Sequence, residues 1–205
     1  MSILGKEHLV SALSEPDISK RLIISPLLDE SQIGPGSIDL RLGNEFIVTH
    51  RGNLPYLDPG RNMGLGDKRR FEHKHYVERS ERFYLHPNEL VLAATLEYFK
   101  LPSHLGGYVT SRSSWGRAGL VIATAVAVHP GFTGTVTLEL VNLGEVPLVL
   151  YPGLCVAQFV FFNCEGGANY DGRFVGQISP QSSTKKVHEE RDLAFWCSQD
   201  PSRNA

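Results

Sequence analysis

The feature that most constrains the fold is a series of short runs of β-branched and aromatic residues, separated by turns that contain proline or glycine. Such runs are typical of β-strands, and their close spacing favours a jelly roll or a β-sandwich. The predicted strands are residues 84–85, 90–95, 107–110, 121–125, 136–142, 148–150 and 155–162. With 205 residues, of which 41% are hydrophobic, the chain can bury one sizeable core. The sequence therefore predicts one all-β domain.

Both ends of the chain favour short helices instead. Residues 5–14 carry apolar residues on one side and should form a helix that ends before Pro16. From Thr184 onward the chain is polar and predicted to be helical, with an apolar Phe195-Trp196 pair that could dock on a neighbouring subunit. Between the strands, the charges of residues 67–82 are mixed in sign and indicate an exposed excursion.

Composition narrows the classes of function. A net charge of −2 argues against binding to a nucleic-acid polymer, although a local cationic pocket for a free nucleotide remains compatible with it. The three cysteines are widely spaced and indicate neither a disulfide framework nor a zinc site. No apolar run approaches the roughly 20 residues that span a bilayer, and no signal pattern is present. We therefore expect a cytoplasmic protein that is not bound to membranes.

Residues 110–120, TSRSSWGRAGL, combine two arginines with serine and threonine hydroxyls and two glycines between predicted strands. Arginine presents forked donors that match phosphate oxygens, hydroxyls add further donors, and glycine lets the backbone approach a ligand closely. A solvated turn uses the same residue types, so the segment alone is a weak signal. It is nevertheless the best candidate for a binding site for phosphate or another oxyanion.

A carboxylate interrupts the strand predicted over residues 136–142. Val136, Leu138 and Leu140 share one face of that strand, whereas Glu139 shares the other face with threonines such as Thr137. A glutamate in this position is either a solvent-facing residue or a base at the floor of a polar pocket, able to take a proton from water.

Together these segments resemble the dCTP deaminase family of the dUTPase-like superfamily. The resemblance rests on Arg112-Ser113-Ser114-x-x-Arg117-x-Gly119-Leu120, Pro130-Gly131-Phe132-x-Gly134 and Thr137-Leu138-Glu139-Leu140-x-Asn142. Further similar blocks are residues 35–46, 83–93, 147–158 and 173–180. The blocks follow the family's order over residues 1–182, which are identified as a dCTP deaminase-like domain, and leave residues 183–205 as a C-terminal extension.

The resemblance implies a distorted jelly roll that assembles as a homotrimer, with active sites between subunits and a C-terminal arm that closes over the nucleotide. The implied reaction is hydrolytic deamination of dCTP to dUTP and ammonia without zinc. Glu139 matches the catalytic glutamate, and Ser113 and Arg117 match residues that orient the water, the base and the phosphates. Arg117 beside Glu139 would keep the carboxylate ionised.

The resemblance also implies a set of substrate-binding residues. Arg112, Ser114, Arg173 and Gln177 match positions that bind the triphosphate, where Mg²⁺ would bridge phosphate oxygens. Thr124 and Ala125 match the wall that contacts the pyrimidine. The set is completed by Thr137 and Leu138 beside the catalytic glutamate, His129 at the sugar, and the aromatic residues Tyr170 and Phe174 of the arm.

Three departures from the family pattern bear on these roles. His129 stands where aspartate usually binds the 3′-hydroxyl, and only a neutral imidazole could accept that hydrogen bond. One residue is missing between Leu120 and Thr124, in a segment that some members use for inhibition by dTTP. In the arm, Arg173 and Phe174 replace the usual lysine and tyrosine, and Tyr170 could supply the phenol.

Two alternatives remain open at this level. One is hydrolysis of dUTP to dUMP and pyrophosphate, alone or combined with deamination, and the other is a non-catalytic nucleotide-binding regulator. The sequence does not determine which of these products forms. It also does not determine whether dTTP inhibits the protein or whether a modified pyrimidine is preferred to cytosine. Outside the site, Asp39 and Arg41 are interpreted as cross-strand pairing residues, and Trp115 is expected to pack at a subunit interface.

Overall fold

The computed structural model describes residues 2–49, 71–123, 127–166, 169–172 and 175–181. Its helices are α1 (Lys6–Ser14), a 3-10 helix (Glu30–Gln32) and α2 (Ser113–Arg117). Its strands are β1 (Ile23–Ser25), β2 (Ile38–Thr49), β3 (Glu72–Tyr76), β4 (Phe83–Leu85), β5 (Leu90–Lys100), β6 (Leu105–Ser111), β7 (Leu120–Ile122), β8 (Ala127–Val128), β9 (Thr133–Asn142), β10 (Leu148–Leu150) and β11 (Cys155–Asn163).

The main sheet is antiparallel and curled, with the strand order β7-β9-β5-β2-β11-β6-β8. Strand β1 pairs with β5, β3 pairs with β2, and β4 and β10 form a separate two-stranded sheet. Register shifts interrupt the β2–β5 and β5–β9 ladders, and such irregularities bend a sheet. The predicted all-β jelly-roll fold is confirmed.

The core forms inside the curl of the sheet because the strands alternate apolar and polar residues. Val136, Leu138 and Leu140 all point inward from β9, as their spacing predicts. The rings of Phe99 and Phe159 meet between β5 and β11 with centroids 5.2 Å apart. Burial of each such side chain contributes about 1.5–3 kcal/mol, so these inward rows hold the strands in register.

Most of the predicted elements are confirmed. Helix α1 ends at Ser14, before Pro16, and buries Leu9. Of the strand predicted over residues 121–125, the structure describes only the part up to residue 123, and β7 ends at Ile122. The interpretation of residues 67–82 as an excursion is wrong in part, because β3 lies within it as a largely exposed strand that pairs with β2. The predicted C-terminal helix and extension, residues 183–205, lie outside the described residues.

A glycine contact fixes the segment between α2 and β7. Gly119 has a φ of +96°, and a Cβ atom on it would lie 2.8 Å from the Gly144 nitrogen. The buried Asn142 holds the turn opposite, since its Nδ2 donates to Leu85 O and Val146 O and its Oδ1 accepts from Gly144 N. These contacts hold the C-terminal end of α2 against the C-terminal end of β9.

Candidate active site

The arginine- and serine-rich segment forms the short helix α2 and its N-terminal cap. Arg112 is the capping residue, and its carbonyl accepts from Trp115 N and Gly116 N at 3.0 and 3.1 Å. The Arg112 nitrogen donates to Val156 O at 3.1 Å, which fixes the cap on the end of β11. Ser113, Ser114 and Arg117 are exposed on this helix, as residues that grip a ligand from solvent must be.

Trp115 joins α2 to strand β11 and to the core. Its indole Nε1 donates to Cys155 O at 2.9 Å, and the half-buried ring packs against the core of its own chain. These contacts anchor α2 within the subunit, and the packing of Trp115 at a subunit interface stays a prediction. This anchor holds the side chains of α2 at a defined place on the sheet.

Glu139 lies near the C-terminal end of β9, between β5 and β7. It is half-buried, and its carbonyl accepts from Ala123 N at 2.9 Å. Its polar neighbour Thr137 points to the same face, as the alternation predicts. Within the described part of the chain, the Glu139 carboxylate has no hydrogen-bond or ion-pair partner. A carboxylate on this face is accessible to water and to a ligand.

A single subunit does not pair the two halves of the predicted site. Among the described residues, no ion pair or hydrogen bond joins Arg117 to Glu139. The proximity of these two side chains stays a prediction. Leu138 is 0% exposed, so any contact it makes with a substrate would come from its backbone.

His129 and Tyr170 form a second group of predicted site residues. Their rings stack with centroids 5.6 Å apart and an interplanar angle of 16°. Tyr170 N also donates to Pro130 O at 2.8 Å, which joins the arm to the turn before β9. The two rings line an open groove of about 540 Å³ together with Cys164, Asn169 and Asp171. The contact of His129 with a sugar stays a prediction.

The arm continues along the start of β9. Gln177 exchanges two hydrogen bonds with the Thr135 backbone, and Gln181 N donates to Thr137 Oγ1 at 3.2 Å. The Gln177 Oε1 atom is buried and has no hydrogen-bond partner among the described residues. The arm therefore follows the polar face of β9 toward Glu139, and the binding of triphosphate by Gln177 stays a prediction. Thr124, Ala125, Arg173 and Phe174 lie outside the described residues.

Sequence reasoning missed a buried polar network under β2. Glu97 is 0% exposed, and its carboxylate accepts from Arg41 N at 2.9 and 3.2 Å and from Gln32 Nε2 at 3.1 Å. Burial raises the pKa of Glu97, while the hydrogen bonds from Arg41 and Gln32 and the charge of Arg41 oppose that rise. The signal in the sequence was a carboxylate at an inward position of β5, two residues before Phe99.

Asp39 and Arg41 do not pair with each other. The Arg41 guanidinium lies 3.7 Å from the Glu97 carboxylate, and the Asp39 carboxylate lies 3.0 Å from the Arg112 guanidinium. Asp39 and Arg41 are two residues apart on one strand face, and each points toward an oppositely charged residue of another element. Both residues link β2 to other elements, as expected: Arg41 through Glu97 and Asp39 through Arg112.

Two structural observations bear on cofactors and membranes. The described residues contain no group of three or more His, Cys, Asp or Glu side chains arranged to hold a metal ion. Among the described helices, none is long and apolar enough to cross a bilayer.

Comparison with known proteins identifies the family. A family model described as dCTP deaminase-like matches residues 3–164. A "dCTP deaminase, dUMP-forming" of Methanobrevibacter smithii is 38% identical over 198 residues, covering 93% of this chain and 98% of the relative. One of the same name from Persephonella marina is 43% identical over 167 residues, covering 80% and 89%. A "dCTP deaminase" of Natronomonas pharaonis is 39% identical over 194 residues, covering 88% and 97%.

A solved structure supports the fold. The crystal structure of 2′-deoxycytidine 5′-triphosphate deaminase from Agrobacterium tumefaciens matches with a TM-score of 0.57 and 24% identity. The match covers 78% of this chain and 47% of the Agrobacterium chain, so this chain spans about half of that longer protein. The chain belongs to the dCTP deaminase-like family of enzymes.

Proposed function

We propose that this protein catalyses the zinc-independent hydrolytic deamination of dCTP to dUTP and ammonia, within pyrimidine deoxynucleotide metabolism. Membership of the dCTP deaminase-like family supports the reaction class. The observation that carries the proposal is Glu139, a half-buried carboxylate on the polar face of β9 that has no partner among the described residues.

The chemistry assigned to Glu139 is proton transfer. Its carboxylate takes a proton from water while the water oxygen attacks C4 of cytosine, which forms a tetrahedral carbon. The same group passes this proton to N3, then takes the remaining proton from the new C4 hydroxyl and delivers it to the amino group. The C4–N bond then breaks, the C4 carbonyl forms and ammonia leaves. One carboxylate can perform both transfers because it is regenerated in its ionised form.

The side chains of α2 and of its capping residue suit the triphosphate. Arg112, Ser113, Ser114 and Arg117 offer guanidinium and hydroxyl donors, which fit phosphate oxygens and are poor ligands for a divalent cation. Mg²⁺ would therefore be bound by the phosphate oxygens and would neutralise part of their charge. The protein's own contribution is to orient the phosphate chain.

We further propose that the complete site forms between subunits of a homotrimer. The absence of a pair between Arg117 and Glu139 within one described subunit supports this arrangement, because a neighbouring subunit could bring α2 to the polar face of β9. Inhibition by dTTP is left out of the proposal, since the segment before residue 124 is shorter than in the family.

A second candidate is a bifunctional enzyme that also cleaves dUTP to dUMP and pyrophosphate. It is favoured by the names of the relatives from Methanobrevibacter smithii and Persephonella marina, which are both dUMP-forming. The occurrence of His129 where aspartate is usual weighs against it.

The test is incubation of chelator-treated protein with dCTP, CTP, dCMP or dUTP and Mg²⁺, with ammonia and nucleotides followed by chromatography. Formation of dUTP from dCTP is the expected result. Formation of dUMP and pyrophosphate would establish the bifunctional enzyme. Binding of nucleotide without turnover of any of the four would favour a regulator and contradict the proposal.

A further inference from the structure

The only ion pair that α2 and its cap form with other described residues joins Arg112 to β2. The Arg112 Nη1 atom lies 3.0 Å from Asp39 Oδ2, with the two side chains 37% and 21% exposed. Arginine carries five N–H donors, so a contact through one Nη atom leaves the rest of the guanidinium able to bind an anion. The pair therefore fixes one side of the guanidinium and presents the other to solvent.

Asp39 is itself held on both sides. Its Oδ1 atom accepts from Gln158 Nε2 at 3.4 Å, and Gln158 lies opposite Asp39 in the β2–β11 ladder. Its carbonyl accepts from Gln32 Nε2 at 3.0 Å, and that same amide donates to the buried Glu97. Asp39 therefore belongs to a rigid part of the sheet.

The Arg112 backbone is equally fixed by Val156 O and by the first turn of α2. The Arg112 backbone is therefore held in place with or without Asp39. What Asp39 orders is the Arg112 side chain. Ordering a long side chain on binding costs free energy, and a partner that orders it beforehand removes that cost.

We infer that Asp39 is a positioning residue for Arg112, which it holds ready to bind the triphosphate of the substrate. This inference rests on the proposed function, in which Arg112 grips the phosphates. Asp39 does not touch the substrate and acts through the guanidinium.

The test compares wild-type protein with Asp39→Asn, which removes the charge and nearly keeps the shape. The KM for dCTP should rise about fivefold with kcat nearly unchanged, the size expected for ordering one long side chain. The inhibition constant of inorganic tripolyphosphate should rise in the same proportion. The matched control is Asp17→Asn, which removes the exposed pair of Asp17 with Lys20 and should leave both constants unchanged.

A double-mutant cycle separates positioning from general stability. In an Arg112→Gln background, Asp39→Asn should have no further effect on KM, because the group it positions is gone. Urea unfolding of each variant gives the structural contribution separately.

Three outcomes would overturn the inference while the wild-type enzyme remains active on dCTP. They are an unchanged KM in Asp39→Asn, an equal loss with and without Arg112, and a fall in KM, which would mean that Asp39 competes with the phosphates. Failure of the wild-type enzyme to deaminate dCTP would instead remove the proposed function.

Discussion

Gln177 binds the Thr135 backbone in both directions: Thr135 N donates to Gln177 O at 2.8 Å, and Gln177 Nε2 donates to Thr135 O at 2.6 Å. The neighbouring Gly134, with a φ of +142°, makes this approach possible. A Cβ atom on Gly134 would lie 3.0 Å from Gln177 O and 3.2 Å from its nitrogen. The arm therefore depends on one glycine of β9.

Gly134→Ala should loosen the docking of the arm, because the new methyl group would force the backbone of Gln177 to move away. We expect cleavage by protease within residues 164–182 to become at least about tenfold faster, and kcat/KM for dCTP to fall, with a loss of unfolding free energy of about 1–3 kcal/mol from the strained φ. Limited proteolysis followed by mass spectrometry measures the effect on the arm.

The control is Gly153→Ala. Gly153 also has a positive φ, +91°, but a Cβ atom added to it would meet no other atom within 4 Å. This variant carries the backbone strain without the contact, so its arm should stay protected. Equal cleavage of the arm in both variants would contradict a role for Gly134 in docking.

Glu139→Gln should abolish deamination, with kcat reduced at least about a thousandfold because the group that accepts the proton is lost. The unfolding free energy should change by less than about 0.5 kcal/mol, since Glu139 is half-buried and makes no side-chain hydrogen bond among the described residues. Steady-state kinetics and urea unfolding measure the two effects.

Glu45→Gln, a change at a half-buried residue of β2, is the matched control and should remain active. Substantial turnover by Glu139→Gln would remove Glu139 from its role.

His129→Asp should increase the preference for a 3′-hydroxyl, because a carboxylate accepts a hydrogen bond at every pH near neutrality. The ratio of kcat/KM for dCTP to that for 2′,3′-dideoxy-CTP should rise about tenfold, in keeping with a charged hydrogen bond. His129→Leu removes the acceptor and should lower the same ratio. An unchanged ratio in both variants would show that His129 does not contact the sugar.

Glu97 should make stability depend on pH. Burial raises its pKa in the folded state above the ordinary value of 4.5. Its contribution to the unfolding free energy is therefore fully present below pH 4.5 and is lost as pH rises through the folded pKa, by about 1.4 kcal/mol for each pH unit between 4.5 and the folded pKa.

Urea unfolding between about pH 4 and pH 8 tests this prediction. Glu97→Gln should lack the decline, so the stability of wild-type protein relative to this variant should shrink as pH rises. The control Glu45→Gln keeps the buried carboxylate and should follow the wild-type curve. A relative stability that grows with pH would mean that Arg41 lowers the folded pKa of Glu97 by more than burial raises it.

The sequence alone determined seven of the described strands, but not β1, β2, β3 or β8, and it determined the inward face of β9. Val136, Leu138 and Leu140 recur at every second position, and in a strand this period places them on one side whatever lies around them. The same local rule placed Thr137 and Glu139 on the opposite side. The family motif, which is also a local pattern, identified residues 112–120 as the candidate phosphate-binding segment.

Tertiary structure alone decided which distant residues meet. The pairs Asp39–Arg112 and Arg41–Glu97 join residues 73 and 56 positions apart, and no local period encodes such contacts. Sequence reasoning expected Asp39 and Arg41 to pair across strands but could not name their partners, because strand direction and register decide which residues come near. The docking of Gln177 beside Gly134 has the same origin. Local alternation fixes which way a side chain points, and only the packing of strands fixes what it reaches.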